Sequence, residues 1–378
     1  MTNQSVLLVG DGNHQFIINL ALWLKKEKGD SIKIDVLSLT EFKEENSKHF
    51  NAVYSVNQNK IFNKVKGVRT TYRFHLYKRL FNRLPEYDIV NFHYITLDSY
   101  FLTSLFSKRT KSKIILSIWG SDLYRLKKIN ENNFINACSK ADEISFTNET
   151  SLIFFKDKYQ WKKNNLHTIR FGLAPLEILK GIKENKLQSK HQLHWNENKL
   201  AIVIGYNLSP QQQHLEILKA LNSQKLIELK NKIQLIIPIT YGGSIKYKNQ
   251  LIEQLELCQF EYLIYDSFLS DNDVAYIRKA ADIMIQLQTT DQFSGSMQEH
   301  LFAKNVVITG SWLPYKTMKN EGAWFIEIDR VEALTETLYQ TIENYEDLKL
   351  KTVNNSDAIE RLSSWNENIK YWVALYNS

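Results

Sequence analysis

The 378-residue chain is 43% hydrophobic, enough to bury the cores of two domains rather than one. Its 48 Lys and Arg against 41 Asp and Glu leave +7, which suits an anionic partner but excludes the charge density of a dedicated nucleic-acid binder. Two distant cysteines, Cys138 and Cys258, exclude a disulfide framework or a cysteine-based zinc site and point to a reducing compartment. No apolar run approaches the roughly 18 residues of a bilayer span and no basic-then-apolar leader opens the chain, so neither export nor integral insertion is expected.

In chain order, residues 6–10 form an apolar strand closed by Gly10-Asp11-Gly12, and a helical pattern follows over 16–24. Buried-strand runs recur at 32–39, 89–92 and 114–118, the rhythm of a doubly wound α/β domain. The pattern restarts at 200–205, with a helix over 214–221 and strands at 233–239, 262–265, 283–287 and 306–309. An internal echo, Lys140-Ala141-Asp142-Glu143-Ile144 and Lys279-Ala280-Ala281-Asp282-Ile283, ends a helix and opens a strand in each half. The Lys/Gln/Asn-rich stretch 172–195 interrupts the strand rhythm and is read as the interdomain connection. Ile359, Leu362, Trp365, Ile369, Trp372 and Tyr376 stand at helical spacing, predicting one terminal helix over 356–376 that packs back at the domain junction. The expected division is 1–180, 198–355 and 356–378, with the first two as Rossmann-like domains.

Ligands of open α/β sheets bind beyond the carboxyl ends of the strands, so two such sheets facing one another predict a cleft with the chemistry in its loops. Asp291-Gln292-Phe293-Ser294-Gly295-Ser296-Met297-Gln298-Glu299 follows the strand 283–287 and opens a helix. Amides at a helix start are unpaired and carry the positive end of the dipole, so those of Ser294 to Met297 are candidates to hold a diphosphate without a metal. Glu299 stands one turn on, suited to a ribose diol, and Asp291 precedes the helix, facing the transferred sugar. Asp271-Asn272-Asp273 follows Ser270 and reads as a capping box rather than a metal site, so no metal is expected. The 10–14 turn lacks the third glycine and the acidic partner of a dinucleotide fingerprint, which disfavours nicotinamide or flavin.

The run from Asp291 through Gly310 resembles the signature of the large retaining GT-B glycosyltransferase family, two acids separated by seven residues around a Phe turn and followed by an apolar strand, here Asn305-Val306-Val307-Ile308-Thr309. It departs from that pattern in Asp291 for the first Glu and Ser294 for a Gly. Gly205-Tyr206-Asn207-Leu208-Ser209-Pro210-Gln211-Gln212-Gln213-His214-Leu215 and Pro238-Ile239-Thr240-Tyr241-Gly242-Gly243 are similar to bacterial 4-acetamidofucosyl transferases that extend lipid-linked polysaccharide. The Arg and Lys that usually follow the first Gly of the broader family are replaced by Tyr206, Asn207 and the Gln212-Gln213-His214 group, leaving helix amides, Arg170 or Lys246 for the diphosphate. The resemblance implies a GT-B fold, metal-independent transfer from a UDP-, GDP- or dTDP-linked sugar as substrate rather than cofactor, and retention of configuration. On the donor side it points to Gly12, Gly205, Tyr206, Asn207, His214, Tyr241, Gly243, Ser294, Gly295, Ser296, Met297 and Glu299.

In the first half, His93 and Trp119-Gly120-Ser121-Asp122 follow strands, where a histidine or aspartate can orient a sugar and steer a proton. The Gly-Ser-Asp turn is similar to the family's His-Gly-x-Asp loop. Asp291, Asp122 and His93 are therefore the candidate catalytic residues, with Asn13, His14, Asn148 and Arg170 on the acceptor side. Lys60, Lys64, Lys66, Arg69, Arg73, Lys78, Arg79 and Arg83, interleaved with aromatics and without one acid, suit an anionic membrane surface, an RNA strand, or a solvated helix packed by its rings. The reading is a cytoplasmic glycosyltransferase at the inner face of the membrane, acting on a lipid-linked saccharide of surface polysaccharide, with no nucleic-acid partner. A GT-B-like nucleotide-sugar epimerase and a non-catalytic sugar-nucleotide scaffold are the alternatives.

Overall fold

A computed structural model describes residues 4–56, 68–291 and 293–378. The chain divides into two compact units, Met1–Gly172 with Asn368–Ser378, and Leu173–Glu367. Among the described residues, unit 1 holds a seven-stranded sheet of β1 (Gln4–Gly10), β2 (Ile32–Ser38), β3 (Val53–Ser55), β4 (Ile89–His93), β5 (Lys113–Ile118), β6 (Glu143–Phe146) and β7 (Leu166–Thr168), ordered β3-β2-β1-β4-β5-β6-β7. Unit 2 holds a six-stranded sheet of β8 (Leu200–Ile204), β9 (Ile233–Pro238), β10 (Glu261–Tyr265), β11 (Ile283–Gln286), β12 (Val306–Gly310) and β13 (Ile326–Ile328), ordered β10-β9-β8-β11-β12-β13. Every pairing is parallel. Central strands such as Leu200–Ile204 are apolar throughout because helices cover both faces.

Counted from its own start, each sheet has the same order, and each reverses direction once, between β1 and β4 and between β8 and β11. Such a reversal parts the two flanking loops, leaving room for a ligand at the strands' carboxyl ends.

The sequence echo has a physical reason. Asp142 and Asp282 each stand one residue before a strand and use Oδ2 to accept the first free amide of the strand alongside, from Ile114 at 2.7 Å and Ala201 at 2.9 Å. Asp88 does the same for Ser5 at 2.7 Å. Each aspartate thus sets the register of two parallel strands at their amino ends, where no preceding residue can pair. Asp282 is further held by Lys186 at 2.9 Å, Lys190 at 2.6 Å and the Tyr345 hydroxyl at 2.8 Å. Burial pushes its carboxyl up, but the two lysines outweigh that and hold it below the usual range.

Residues 172–195, read from sequence as the interdomain connection, begin at the boundary between the units and contain helices Ala174–Gly181 and Lys186–Gln192, the lysines of the second recruited by Asp282. One segment differs from the sequence reading. The single helix expected over 356–376 is two, Asn355–Ser363 and Trp365–Asn377, broken at Ser364 with φ −76° and ψ 150°. The Ser364 hydroxyl accepts the Glu367 amide at 3.1 Å, so Ser-Trp-Asn-Glu starts a new helix where apolar spacing alone suggested continuity. Beyond the break, Trp372 and Tyr376 belong to unit 1, where Trp372 lies 5.2 Å from Phe171 and the Tyr376 hydroxyl takes Asn91 Nδ2 at 2.8 Å. Among the described residues no helix is long and apolar enough to cross a membrane.

Replacing Asp282 with alanine strands two lysines and a strand amide at once. The expected loss is about 3–5 kcal/mol of unit 2 stability, read from urea unfolding, because a buried charge loses its partner.

Candidate active site

In unit 2 the two loops at the strand reversal are joined to one another. Gly205, at φ +63°, ends β8 and donates its amide to Ile285 of β11 at 3.2 Å. Beyond it the 3₁₀ turn Pro210–Gln212 leads to Gln213, itself left-handed at φ 58°, so that Thr289 N reaches Gln211 O at 2.9 Å and Gln212 Nε2 reaches Gln288 Oε1 at 3.0 Å. Gln288 Oε1 also accepts the Tyr206 hydroxyl at 3.4 Å, while its Nε2 and that of Gln286 face the Tyr315 hydroxyl at 3.5 and 3.4 Å. Tyr315 in turn donates to Asp291 Oδ2. Burial, reinforced by Asp291, drives the Tyr315 phenol far above its ordinary value, so it stays protonated as that donor. One uncharged network therefore runs from the β8 loop to Asp291.

Next to it, the loop carrying Tyr241 closes on the same strand end. Leu208 N donates to Tyr241 O at 2.7 Å, and Gly242 and Gly243 follow at φ +77° and +67°. A Cβ on Gly243 would stand 2.3 Å from Leu208 O, so only glycine fits. Tyr241 is left 61% exposed at the rim. Asn207 uses its Oδ1 locally, on Ser209 N at 2.9 Å. His214 is fully buried at the start of helix His214–Leu221, its Nδ1 3.3 Å from the Tyr247 hydroxyl, and burial lowers its ring to about 4.

The helix after Asp291 spans Gly295–Phe302. The expectation that four bare amides line its start needs correcting at Met297: Ser294 Oγ accepts that amide at 3.2 Å, as an N-cap serine does, and the Met297 side chain is in the core. The Gly295 and Ser296 amides have no hydrogen-bond partner among the described residues. Glu299 is buried and paired: Arg278 Nε lies 3.1 Å from its Oε2, and Arg278 Nη2 reaches Ser296 Oγ at 3.0 Å. Burial raises the Glu299 carboxyl against the pull of Arg278. The helix Asp271–Ala280 that supplies Arg278 begins with the Ser270–Asp273 capping box expected from sequence. Sequence reasoning missed Arg278, Gln286, Gln288 and Tyr315. The two glutamines alone left a signal, as polar residues closing an apolar strand.

In unit 1 the corresponding loops are knit mostly into their own fold. Gly12 N meets Ser38 Oγ at 3.2 Å, and Asn13 Oδ1 accepts Lys43 N at 2.8 Å. His14 caps helix Gln15–Lys28 through Phe16 N at 3.2 Å, and Asn148 caps Glu149–Lys158 through Ser151 N at 2.8 Å. Asp122 accepts three amides, Ile95 at 2.8 Å, Trp119 at 3.0 Å and Gly120 at 2.7 Å, while burial lifts its carboxyl to about 6. His93, wholly buried among Trp119, Phe171 and Trp372 with ring centroids about 6 Å away, is lowered by burial, and by His14, to about 3. Its ring is therefore uncharged near pH 7, with one nitrogen protonated and the other an acceptor. Arg170 offers its carbonyl to Trp372 Nε1 at 3.0 Å. Of the basic segment, Lys60, Lys64 and Lys66 lie outside the described residues, Arg73 pairs with Asp98 at 2.8 Å, and Phe74 stacks 4.3 Å from Phe101, leaving Lys78, Arg79 and Arg83 exposed.

Residues 5–151 match the family described as Glycosyl transferase 4-like. Over essentially the whole chain the fold is similar to a glycosyltransferase from Rickettsia africae, with TM-score 0.76 and 15% identity over 100% of this chain and 98% of that one. It is likewise similar to Anabaena HepE in complex with UDP and glucose, at 0.75 and 13% over 99% and 100% of the two chains. Sucrose-phosphate synthase from Thermosynechococcus elongatus follows at 0.74 and 11% over 99% and 98%. No curated protein matches the sequence. The chain has the GT-B fold that these solved structures share. The family match lies in unit 1, whereas the acid-and-helix constellation lies in unit 2.

His93 gives a direct pH test. Its ring resonances should not move between about pH 5 and 8 by NMR. Because its folded value of about 3 lies below the unfolded 6.5, the stability it contributes is complete above 6.5 and is lost as pH falls towards 3. His93→Leu should flatten that part of the acid limb.

Proposed function

We propose that this protein is a glycosyltransferase that takes a sugar from a nucleotide-sugar donor held by unit 2 and passes it to a lipid-linked saccharide in bacterial surface-polysaccharide assembly, at the inner face of the cytoplasmic membrane. The observation that carries the donor side is the network joining the β8 and β11 loops, which ends on Asp291, ahead of the helix whose Gly295 and Ser296 amides are uncapped. Those amides and the helix dipole suit a diphosphate, Tyr241 and the double glycine a nucleobase and ribose, and Asp291 a sugar hydroxyl. HepE, similar in fold, has been solved with UDP and with UDP-glucose, which supports a nucleotide-linked sugar as the ligand class.

In the proposed reaction the acceptor hydroxyl oxygen bonds to the anomeric carbon as the bond from that carbon to the phosphate oxygen breaks. The hydroxyl proton leaves with the nucleoside diphosphate, and attack from the leaving group's own face retains configuration. Fixed amide dipoles meet the charge growing on the diphosphate, so no metal is required by this scheme. Glu299 is assigned a role through Arg278: the pair holds the first turn of the helix, with Ser296, at the angle the diphosphate needs. In unit 1, Asp122, His14, Asn148 and Arg170 frame the strand-end loops assigned to the acceptor.

Thermal-shift titration with UDP-, GDP- and dTDP-linked sugars tests the donor assignment, since a ligand that binds only the folded state raises Tm. One nucleotide class should stabilise the protein, and Gly243→Ala, which adds about 1–3 kcal/mol of strain at a positive φ, should abolish that shift. A protein that no nucleotide sugar stabilises would refute the assignment.

A further inference from the structure

Unit 1 carries an apolar surface that neither its core nor the donor site uses. Ile129 is 85% exposed, Ile153 49%, Tyr124 43% and Phe154 38%. Isolated exposed apolar side chains need no explanation, but Tyr124 and Phe154 are in contact, and Ile129 and Ile153 lie on the segments beside them. The Tyr124 ring centroid lies 5.0 Å from that of Phe154, and the Tyr124 hydroxyl is 3.2 Å from Ser151 Oγ, so the short helix Ser121–Tyr124 lies against helix Glu149–Lys158. Lys158 links the remaining element: its Nζ is 2.8 Å from Glu131, two residues after Ile129, and 5.8 Å from the Phe154 ring.

Around these four side chains stand exposed cations, Arg125, Lys127, Lys128, Lys156 and Lys158, against the exposed acids Glu149 and Asp157. Lys158 is already paired to Glu131, and the remainder still leaves the patch positive. Apolar side chains projecting from a cationic rim match an anionic lipid surface, in which rings and branched side chains enter the interface while lysines meet the headgroups. The basic stretch 60–83 offers less, because Phe74, Tyr77 and Phe81 turn inward onto Phe101, Phe106 and the core.

We propose that Tyr124, Ile129, Ile153 and Phe154, with Arg125, Lys127 and Lys128, form the surface by which this protein docks on an anionic bilayer. The proposal deepens the reading of a lipid-linked acceptor and rests on it for its purpose, though not for its observations. Attraction of this kind falls away with salt, since exposed charges are screened within about 10 Å at 0.1 M.

Sedimentation with phosphatidylglycerol vesicles, and separately with phosphatidylcholine vesicles, tests it on the full chain. The wild type should pellet with the anionic vesicles at low salt and not with the neutral ones. Ile129→Asp combined with Phe154→Asp should lower the bound fraction at least about tenfold, as should Lys127→Ala with Lys128→Ala, at about 1 kcal/mol per basic residue near the surface. Phe268→Asp, at a position 88% exposed in unit 2, should change nothing. The Lys127→Ala/Lys128→Ala and Phe268→Asp variants should keep the wild-type urea midpoint because those side chains are exposed, and the aspartate double variant, which also loses the Phe154 contact with Tyr124, should keep a cooperative urea transition.

Equal pelleting of wild type and the aspartate double variant overturns the proposal. So does a double variant that turns a dimer into a monomer in sedimentation velocity while vesicle binding is unchanged, which would make the patch an interface between copies. Transfer to a water-soluble acceptor separates the two readings. Vesicle binding without any transfer removes the enzymatic reading and leaves the docking surface standing, whereas transfer without vesicle binding does the reverse.

Discussion

A parallel sheet that reverses its winding must send two neighbouring loops in opposite directions, and the backbone exposed where they part has to find partners. In unit 2 the partners are amides and phenols rather than charges. Gln212, Gln286 and Gln288 lie almost wholly buried between β8 and β11, tied to Tyr206 and Tyr315. An unpaired charge would be costly at such depth, while an amide both donates and accepts and so can bridge two loops at once. The consequence is that the position of Asp291 follows from the packing of Tyr315, a residue 24 positions later in the chain.

Unit 1 solves the same problem with rings. His14, Phe16, Trp119 and Phe171 meet at centroid distances of 4.5 to 5.6 Å at the carboxyl ends of β1, β4 and β5. Asp122 ties down the amides of the turn below them, at the expense of a carboxyl that burial holds near 6. The two units share a strand order and a strand-entry aspartate, but differ in what fills the reversal point, polar and uncharged in one and aromatic in the other.

Much of this was legible in the chain. The central strands are apolar on both faces and so were located to within a residue or two, and helix His214–Leu221 was placed at its observed bounds. The Asp142 and Asp282 echo was visible as letters, but its meaning, an acceptor for the adjacent strand's amide, requires knowing which strand lies alongside. The terminal helix was misread because apolar periodicity continues through Ser364 while the backbone does not; the Ser-x-x-Glu signature was present and outweighed. Arg278 was hidden for a different reason: a charged residue on a helix reads as solvated until a buried carboxylate is found opposite it, and Glu299 is 21 residues away. Likewise the Met297 amide looked free because the motif marks a helix start, whereas the same motif supplies the serine that caps it.

The β8 and β11 loops, joined through uncharged side chains, are the proposed nucleotide site. Amide hydrogen exchange with and without a saturating mixture of UDP, GDP and dTDP measures this most directly. Protection gained together in residues 205–214, 241–247 and 293–299, with the remaining strands of unit 2 unchanged, is the predicted result. Protection elsewhere with these three segments unaffected would contradict it.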